Sequence, residues 1–213
     1  MKIKLPRLPL PLIIFIILIA SSAVTSYAII YSTITSHLAN SEEFRLETRY
    51  LRVNFPRNWY AMKWEEQNGT QGNVDWVMTR PVDLGVIAFF RVFDETATNT
   101  YMHENGFDGT DMLPIITLEM NLIYDWSLEN NPNAALSTTS NGTITVSDCS
   151  AKYMVFRVKG GLKDDTGLYN MTSEIVACIK QQRMFMAIYY GEEDAWNQTY
   201  NTFMVELNSI VLG

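Results

Sequence analysis

Histidine is the side chain best suited to proton transfer near neutral pH, and this 213-residue chain has only two, His37 and His103. His37 follows an apolar N-terminal segment, and His103 lies among Asn and Gly residues in a predicted loop. No sequence motif for a nucleophile, a zinc site or a phosphate-binding loop accompanies either residue. The sequence therefore predicts no catalytic residue, no metal ligand and no cofactor.

Two further kinds of segment contain residue types that can bind calcium or phosphate ions. Adjacent carboxylates occur at Asp164-Asp165 and Glu192-Glu193, but the ligand spacing of a calcium-binding loop is absent. We interpret both pairs as solvated turn and helix-capping residues. Gly160-Gly161, ahead of Lys163 to Gly167, superficially resembles a phosphate loop. It lacks the strand–loop–helix context of such a loop, so a β-hairpin loop is the better interpretation.

The two cysteines, Cys149 and Cys178, can form one disulfide or remain two buried thiols. They flank two predicted neighbouring strands, and a hairpin folded about Lys163-Asp164 would bring them opposite each other. An even pair outside the cytoplasm usually oxidises, whereas a free cysteine packs as a small apolar residue. We predict the disulfide Cys149–Cys178.

Four Asn-x-Thr triplets without a central Pro are candidate N-glycosylation sites: Asn68, Asn141, Asn170 and Asn197. The alternative is that such triplets occur by chance, and Asn-Gly at positions 68 and 141 is also a common tight-turn pair. Modification requires an exported domain and a host that has the transferase.

The first 34 residues have the pattern of a membrane anchor. Lys2, Lys4 and Arg7 precede an uncharged, mostly apolar run from Leu8 to Ile34. A helix needs roughly 20 apolar residues to cross the bilayer, and basic flanks tend to stay in the cytoplasm. We therefore predict a cytoplasmic N-terminus (1–7), a transmembrane signal anchor (8–34), a tether (35–47) and a globular head outside the cytoplasmic membrane (48–213).

A cleaved signal peptide is the alternative interpretation of this segment. Leu8 to Ala20 would be its hydrophobic region and Ser21-Ser22-Ala23 its cleavage site. However, the apolar character resumes at Val24, which makes the run longer than the roughly 7–15 residues usual for a signal peptide. Both interpretations place the head outside the cytoplasm.

The charge of the head argues against some classes of partner. All 23 acidic residues lie beyond residue 41, against 13 of the 16 basic residues, so this part has a formal charge of −10 and the whole chain −7. Nucleic acids and anionic lipid surfaces bind clustered Lys and Arg, so we expect no nucleic-acid partner. The head, of about 170 residues, is long enough for one domain with a full core.

The pattern of the head is that of strands followed by helices. Leu51, Val53 and Phe55 alternate with polar residues, as in a half-buried strand. Three segments are apolar on both sides, as in strands covered on both faces: 85–93, 153–158 and 184–190. Runs of consecutive strands predict an α+β fold, an antiparallel β-sheet with helices packed on its faces.

Two segments have helical periodicity. The first follows a predicted N-cap at Asp111, has Pro114 in its first turn, and carries an apolar stripe of Ile115, Leu118, Leu122 and Trp126. The second carries the stripe Trp196, Tyr200, Phe203, Leu207 and Ile210. Because its apolar residues step by four and three, we predict that this C-terminal stripe is buried against the sheet.

One segment, Phe55-Pro56-Arg57-Asn58-Trp59, resembles the Y/F-P-x-x-W opening of PsbP-like domains, a family named for an extrinsic photosystem II subunit. The later segments Cys149 to Val158, Glu174 to Lys180, Met184 to Tyr190 and the final helix are similar to the end of those domains. The resemblance covers most of residues 44–213, and its motif is short. It implies an α/β/α sandwich, a membrane-anchored prokaryotic or archaeal type of member, and a role in binding or assembly with no catalytic motif.

Three functions are compatible with these features. The first is a membrane-tethered, non-catalytic binding or assembly module with a protein partner at the outer face of the membrane. The second is an anchored hydrolase with a site built from scattered residues, which the shortage of histidine disfavours. The third is an accessory subunit docked through its transmembrane helix, where the small residues Ala20 to Ala23 suit helix packing. Candidate interface aromatics, whose alternative is core or turn packing, are Trp64, Trp76 and Tyr101.

Overall fold

The computed structural model describes residues 43–67 and 69–213. These residues form the strands β1 (Glu43–Glu47), β2 (Leu51–Pro56), β3 (Trp59–Gln67), β4 (Asn73–Pro81), β5 (Val86–Phe93), β6 (Ala135–Val146), β7 (Cys149–Lys163), β8 (Leu168–Lys180), β9 (Arg183–Glu192) and β10 (Val211–Leu212). The helices are α1 (Glu95–Glu104), α2 (Leu113–Asn130) and α3 (Glu193–Ser209), with a 3-10 turn at Gly69–Gln71.

The N-terminal predictions lie outside this description. The anchor at 8–34 and His37 both precede Glu43, the first described residue. Among the three described helices, none combines the length and the apolar character that crossing a bilayer requires.

Seven strands form one antiparallel sheet in the order β3-β4-β5-β9-β8-β7-β6. The central strands β5, β9 and β8 have buried side chains on both faces, because helices pack on either side of the sheet. Two of the three predicted central segments are β5 and β9, and the segment 153–158 lies within β7. The prediction of an antiparallel α+β fold with helices on the faces of the sheet is confirmed.

One face of this sheet, the α3 face, is covered by α3 and by a small antiparallel sheet of order β1-β2-β10. Phe203 of α3 is fully buried and stacks on Tyr189, with ring centroids 4.3 Å apart. Trp196, Leu207 and Ile210 are also buried, and Tyr200 is half-buried beside them. The predicted burial of the C-terminal stripe is confirmed.

The small sheet places the start of the head earlier than the sequence analysis did. Residues 43–47, assigned there to the tether, form β1, which pairs with β2. Phe44 stacks on Phe55 with ring centroids 5.5 Å apart, and Leu46 packs against the same core. The alternation of Phe44 and Leu46 with charged residues was the signal for this strand. The compact unit therefore begins at Glu43.

The opposite face, the α2 face, is covered by α1 and α2 over only part of its width. α2 packs across β7 and β8, and α1 packs at one end of β4, β5 and β9. Asp94 caps α1 by accepting the backbone N–H of Ala97 at 2.8 Å. The other end of β4 and β5, together with β3, keeps partly exposed apolar side chains on this face.

The buried face of α2 differs from the apolar stripe predicted for it. Its buried residues are Ile115, Ile116, Glu119, Met120 and Ser127. Leu122 and Trp126 are 54% and 45% exposed. Asp111 accepts the N–H of Leu113 at 3.1 Å, but Met112 occupies the N-cap position. The prediction that Asp111 is the N-cap is therefore wrong, and two residues of the predicted apolar stripe, Leu122 and Trp126, are exposed.

Candidate functional site

An aromatic and aliphatic surface lies on the part of the α2 face that no described helix covers. Antiparallel register places Met62 of β3 opposite Met78 of β4, which in turn lies opposite Phe89 of β5. Directly paired residues point to the same side of a sheet, so these side chains form one continuous row. We call this surface the open face and define it by Tyr60, Met62, Trp64, Trp76, Met78, Ile87, Phe89 and Tyr190 of the sheet, with Leu122 and Trp126 of α2 at its border.

Two apolar or aromatic side chains of the open face are largely exposed to solvent. Met62 is 57% exposed, and Tyr60 is 41% exposed. Trp64 and Trp76, which the sequence analysis named as interface candidates, stack in parallel with ring centroids 5.3 Å apart and are half-buried. Contiguous exposed apolar residues on a soluble domain commonly mark a site of interaction.

A groove of about 320 Å³ runs between α2 and the sheet at the border of the open face. Its lining residues are Trp76, Phe89, Arg91, Leu122, Ile123, Trp126, Ile188 and Tyr190. Only Arg91 among them carries a charge. A volume of this order suits a few side chains or a small ligand.

Arg91 forms the floor of the groove and is already neutralised there. Its Nη2 atom forms an ion pair with Glu119 of α2 at 2.9 Å, and both side chains are nearly buried. The same guanidinium lies over the ring of Trp76, 5.0 Å from its centroid. Tyr101 of α1 donates its hydroxyl to the other carboxylate oxygen of Glu119 at 2.9 Å. Burial, together with the charge of Glu119, raises the pKa of Tyr101, so its hydroxyl stays protonated.

Two N–H donors beside the groove have no hydrogen-bond partner among the described residues. They are Nε of Arg91 and Nε1 of Trp76, and both atoms are inaccessible to bulk water. A buried polar group without a partner costs roughly 1–3 kcal/mol.

Acidic side chains surround the open face. Asp125 and Glu129 of α2 are exposed and follow Leu122 and Trp126 by three residues, which makes them neighbours on the helix surface. Glu66 is paired with Val74 and Glu192 with Met171, so both lie on the α2 face. Arg80 is a cation at this border, and its guanidinium lies over the ring of Tyr60, 5.7 Å from the centroid. The border is therefore acidic overall.

The two cysteines lie on neighbouring strands, as predicted, but as free thiols in the structure. Both are buried, and the Sγ–H of Cys149 donates to the carbonyl oxygen of Ile179 at 3.3 Å. Burial first, and then the thiol of Cys149, raise the pKa of Cys178. The two side chains are in direct contact, and the disulfide between them stays a prediction.

The candidate glycosylation residues occupy different environments. Asn141 lies on the edge strand β6 and Asn197 on α3, and both are exposed. Asn170 is half-buried, accepts the N–H of Gly160 at 3.2 Å and donates to Glu193 at 3.3 Å. Asn68 lies outside the described residues. The tight-turn alternative at position 141 is wrong because this residue is inside a strand.

The remaining sequence candidates have structural roles. His103 is exposed in the last turn of α1, so its prediction as a loop residue is wrong. Asp164 accepts the N–H groups of Thr166 and Gly167 at 2.7 and 3.0 Å, which confirms a hairpin turn. Glu192 occupies the N-cap position of α3 without a side-chain bond, and Glu193 forms an ion pair with Arg157.

Two buried carboxylates were missed by the sequence analysis. Glu174 of β8 and Glu206 of α3 are each 1% exposed and lie on the α3 face. Burial raises the pKa of Glu206 to about 8, although the hydroxyl of Thr79 donates to it at 2.8 Å. Burial likewise raises the pKa of Glu174 to about 7. Nothing in their spacing distinguished them from the many solvated acids of the chain.

Neither a protein-family model nor a curated protein matches the chain. Its fold is similar to the solution structure of cyanobacterial PsbP (CyanoP) from Synechocystis sp. PCC 6803, at 11% identity and a TM-score of 0.46, over 81% of this chain and 93% of the other. LpqN of Mycobacterium tuberculosis, described as involved in cell envelope biogenesis, is similar at 8% identity and a TM-score of 0.38, over 80% and 90% of the two chains. A protein of unknown function from Pseudomonas aeruginosa, described as a putative regulator, matches at 6% identity and a TM-score of 0.37, over 81% and 99%.

Proposed function

We propose that the chain is a membrane-tethered, non-catalytic binding or assembly module of the PsbP-like type, with its head outside the cytoplasmic membrane. The head would bind a protein partner through the open face. The observation that carries this proposal is the exposure of a continuous aromatic and aliphatic surface bordered by Leu122 and Trp126.

Two sequence features support the rest of the proposal. The basic residues Lys2, Lys4 and Arg7 ahead of the apolar run favour an anchor with the head outside. The segment 55–59, which resembles the opening of PsbP-like domains, spans the end of β2, the two-residue turn and the start of β3. Phe55 and Trp59 are both buried there, as suits a motif with a structural role.

The chemistry of the head also supports binding rather than turnover. The carboxylates with the most strongly raised pKa values, Glu174 and Glu206, are sealed beneath α3, where a substrate would not reach them. Glu119, beside the groove, is held by Arg91 and by the hydroxyl of Tyr101. Glu174 and Glu206 are therefore out of reach of a substrate, and Glu119 orients Arg91 in the floor of the groove.

Copurification of the full-length chain from membranes in mild detergent tests the proposal. Trp126→Ser should abolish the recovery of a stoichiometric partner, because the side chain borders the groove and is 45% exposed. Val205→Ser is the matched control, since Val205 is a similarly exposed apolar helix residue on α3, at 63%. Equal recovery with both variants, or hydrolytic turnover by the purified head, would contradict the proposal.

A further inference from the structure

We propose that the open face binds a cationic amphipathic peptide segment, in which aromatic or aliphatic side chains are flanked by Lys or Arg. This inference rests on the proposed function and names the chemistry of the partner.

The apolar part of such a segment matches the surface of the groove. Trp126 and Leu122 form one wall, and Phe89, Ile188 and Tyr190 lie on the sheet side. Covering these residues would remove apolar surface from water, which stabilises the complex by about 25 cal/mol per Å² before the costs of association.

The acidic border of the open face favours a positively charged partner. Four acids lie at this border, Glu66, Asp125, Glu129 and Glu192, together with the cation Arg80. The segment between Arg91 and Lys152, which includes both helices of the α2 face, has nine Asp and Glu residues and no Lys or Arg. A basic segment would be attracted during approach, whereas a second copy of this head would be repelled.

The floor of the groove gives no preference for an anionic partner, because the charge of Arg91 is paired with that of Glu119. A peptide can supply apolar side chains for the groove and positive charges for its acidic border in one molecule.

The test measures binding of fluorescein-labelled peptides to the full chain in phosphatidylcholine nanodiscs, with empty nanodiscs as the blank. The probe is a twelve-residue peptide of Leu, Trp and Lys, and the comparison peptide has Glu in place of every Lys. We expect saturable anisotropy with the Lys peptide alone. Asp125→Asn combined with Glu129→Gln should weaken this binding roughly ten-fold at low salt, and less at high salt.

Matched controls separate this effect from a general change of charge. Asp148→Asn combined with Asp194→Asn removes two exposed acids that do not border the open face, and should leave the affinity unchanged. Binding of the Glu peptide as tightly as the Lys peptide would overturn the inference. So would an equal loss in both double variants, or an apolar alcohol that binds as well as the peptide.

The outcomes also distinguish this inference from the proposed function. If neither peptide binds, but copurification still depends on Trp126, the cationic partner is wrong and the binding module stands. If sedimentation shows that the open face joins two copies of the chain, the cationic partner is likewise wrong. If copurification does not depend on Trp126, the proposed function itself fails.

Discussion

At the scale of single residues, the most consequential groups are the two carboxylates buried beneath α3. Thr79 donates to one oxygen of Glu206, and the other oxygen has no partner among the described residues. One oxygen of Glu174 is unpartnered in the same way. Charging either group inside the core is unfavourable, so each holds its proton above the usual range for a carboxyl group.

We predict that the head becomes less stable as the pH rises from about 5 to about 8. The folded pKa values, about 7 for Glu174 and about 8 for Glu206, lie above the usual 4.5. The folded state therefore binds more protons than the unfolded state in this window, and the free energy of unfolding falls as the pH rises. Below pH 4.5 the contribution of both groups is fully present.

Chemical denaturation at a series of pH values checks this dependence. Glu206→Gln should remove part of the decline, on the order of 3 kcal/mol between pH 5 and pH 9, because an amide does not titrate. A stability that is constant across this range, or a decline that Glu206→Gln leaves unaltered, would contradict the prediction.

The second prediction at this scale concerns Cys149 and Cys178. If the head is exported, we expect the two adjacent thiols to oxidise. Closing a loop of about 30 residues would stabilise the fold by roughly 3 kcal/mol, less any strain. Replacing both cysteines by Ala should then lower the melting temperature by several degrees. Two free thiols in the denatured, unreduced protein would show that no disulfide forms.

At the scale of the elements, α3 and α2 show when a sequence pattern identifies the packed face of a helix. The apolar residues of α3 form one stripe against an otherwise polar helix, so a single orientation is favoured. α2 has apolar residues around most of its circumference, including Ile115, Ile116, Leu122 and Trp126. Several sets of apolar residues spaced by about four positions fit such a helix. Its sequence alone therefore does not identify the face that packs on the sheet.

We predict that Phe203→Ala lowers the free energy of unfolding by roughly 3–5 kcal/mol, because the ring is fully buried between Tyr189 and Phe90. Asn201→Ser, on the exposed side of the same helix, is the control and should change stability little. Denaturant titration of both variants gives the comparison. An unchanged stability in Phe203→Ala would mean that α3 does not pack on the sheet.

Two of the elements that the sequence did not predict, β6 and α1, have weak hydrophobic patterns. β6 is an edge strand rich in Ser and Thr, and α1 has few apolar residues, so neither has clear periodicity. β6 is positioned by pairing with β7, and α1 by packing at the end of β9. The open face was predicted in part, because Trp64 and Trp76 were named. Leu122 and Trp126 were predicted only as part of the apolar stripe of a helix.

At the scale of the whole molecule, we propose an N-terminal anchor followed by a head whose open face is covered by none of the described helices. An anchor would raise the local concentration of a membrane-bound partner around the head. The apolar run from Leu8 to Ile34 is the basis of this part of the account.

We predict that protease added to intact cells or spheroplasts digests the head, because Lys2, Lys4 and Arg7 favour a cytoplasmic N-terminus. Immunoblotting with an antibody against the head follows the digestion, and a cytoplasmic protein serves as the control for lysis. A head that is protected until the cells are lysed would contradict this orientation.

Site-specific photo-crosslinking in native membranes tests most directly the central claim that the open face is a binding surface. A photoreactive amino acid replaces Leu122, at the border of the open face, or Val205, on α3; the two side chains are 54% and 63% exposed. The account predicts a discrete crosslinked species from position 122 and none from position 205. Equal crosslinking from both positions, or crosslinking only from position 205, would contradict it.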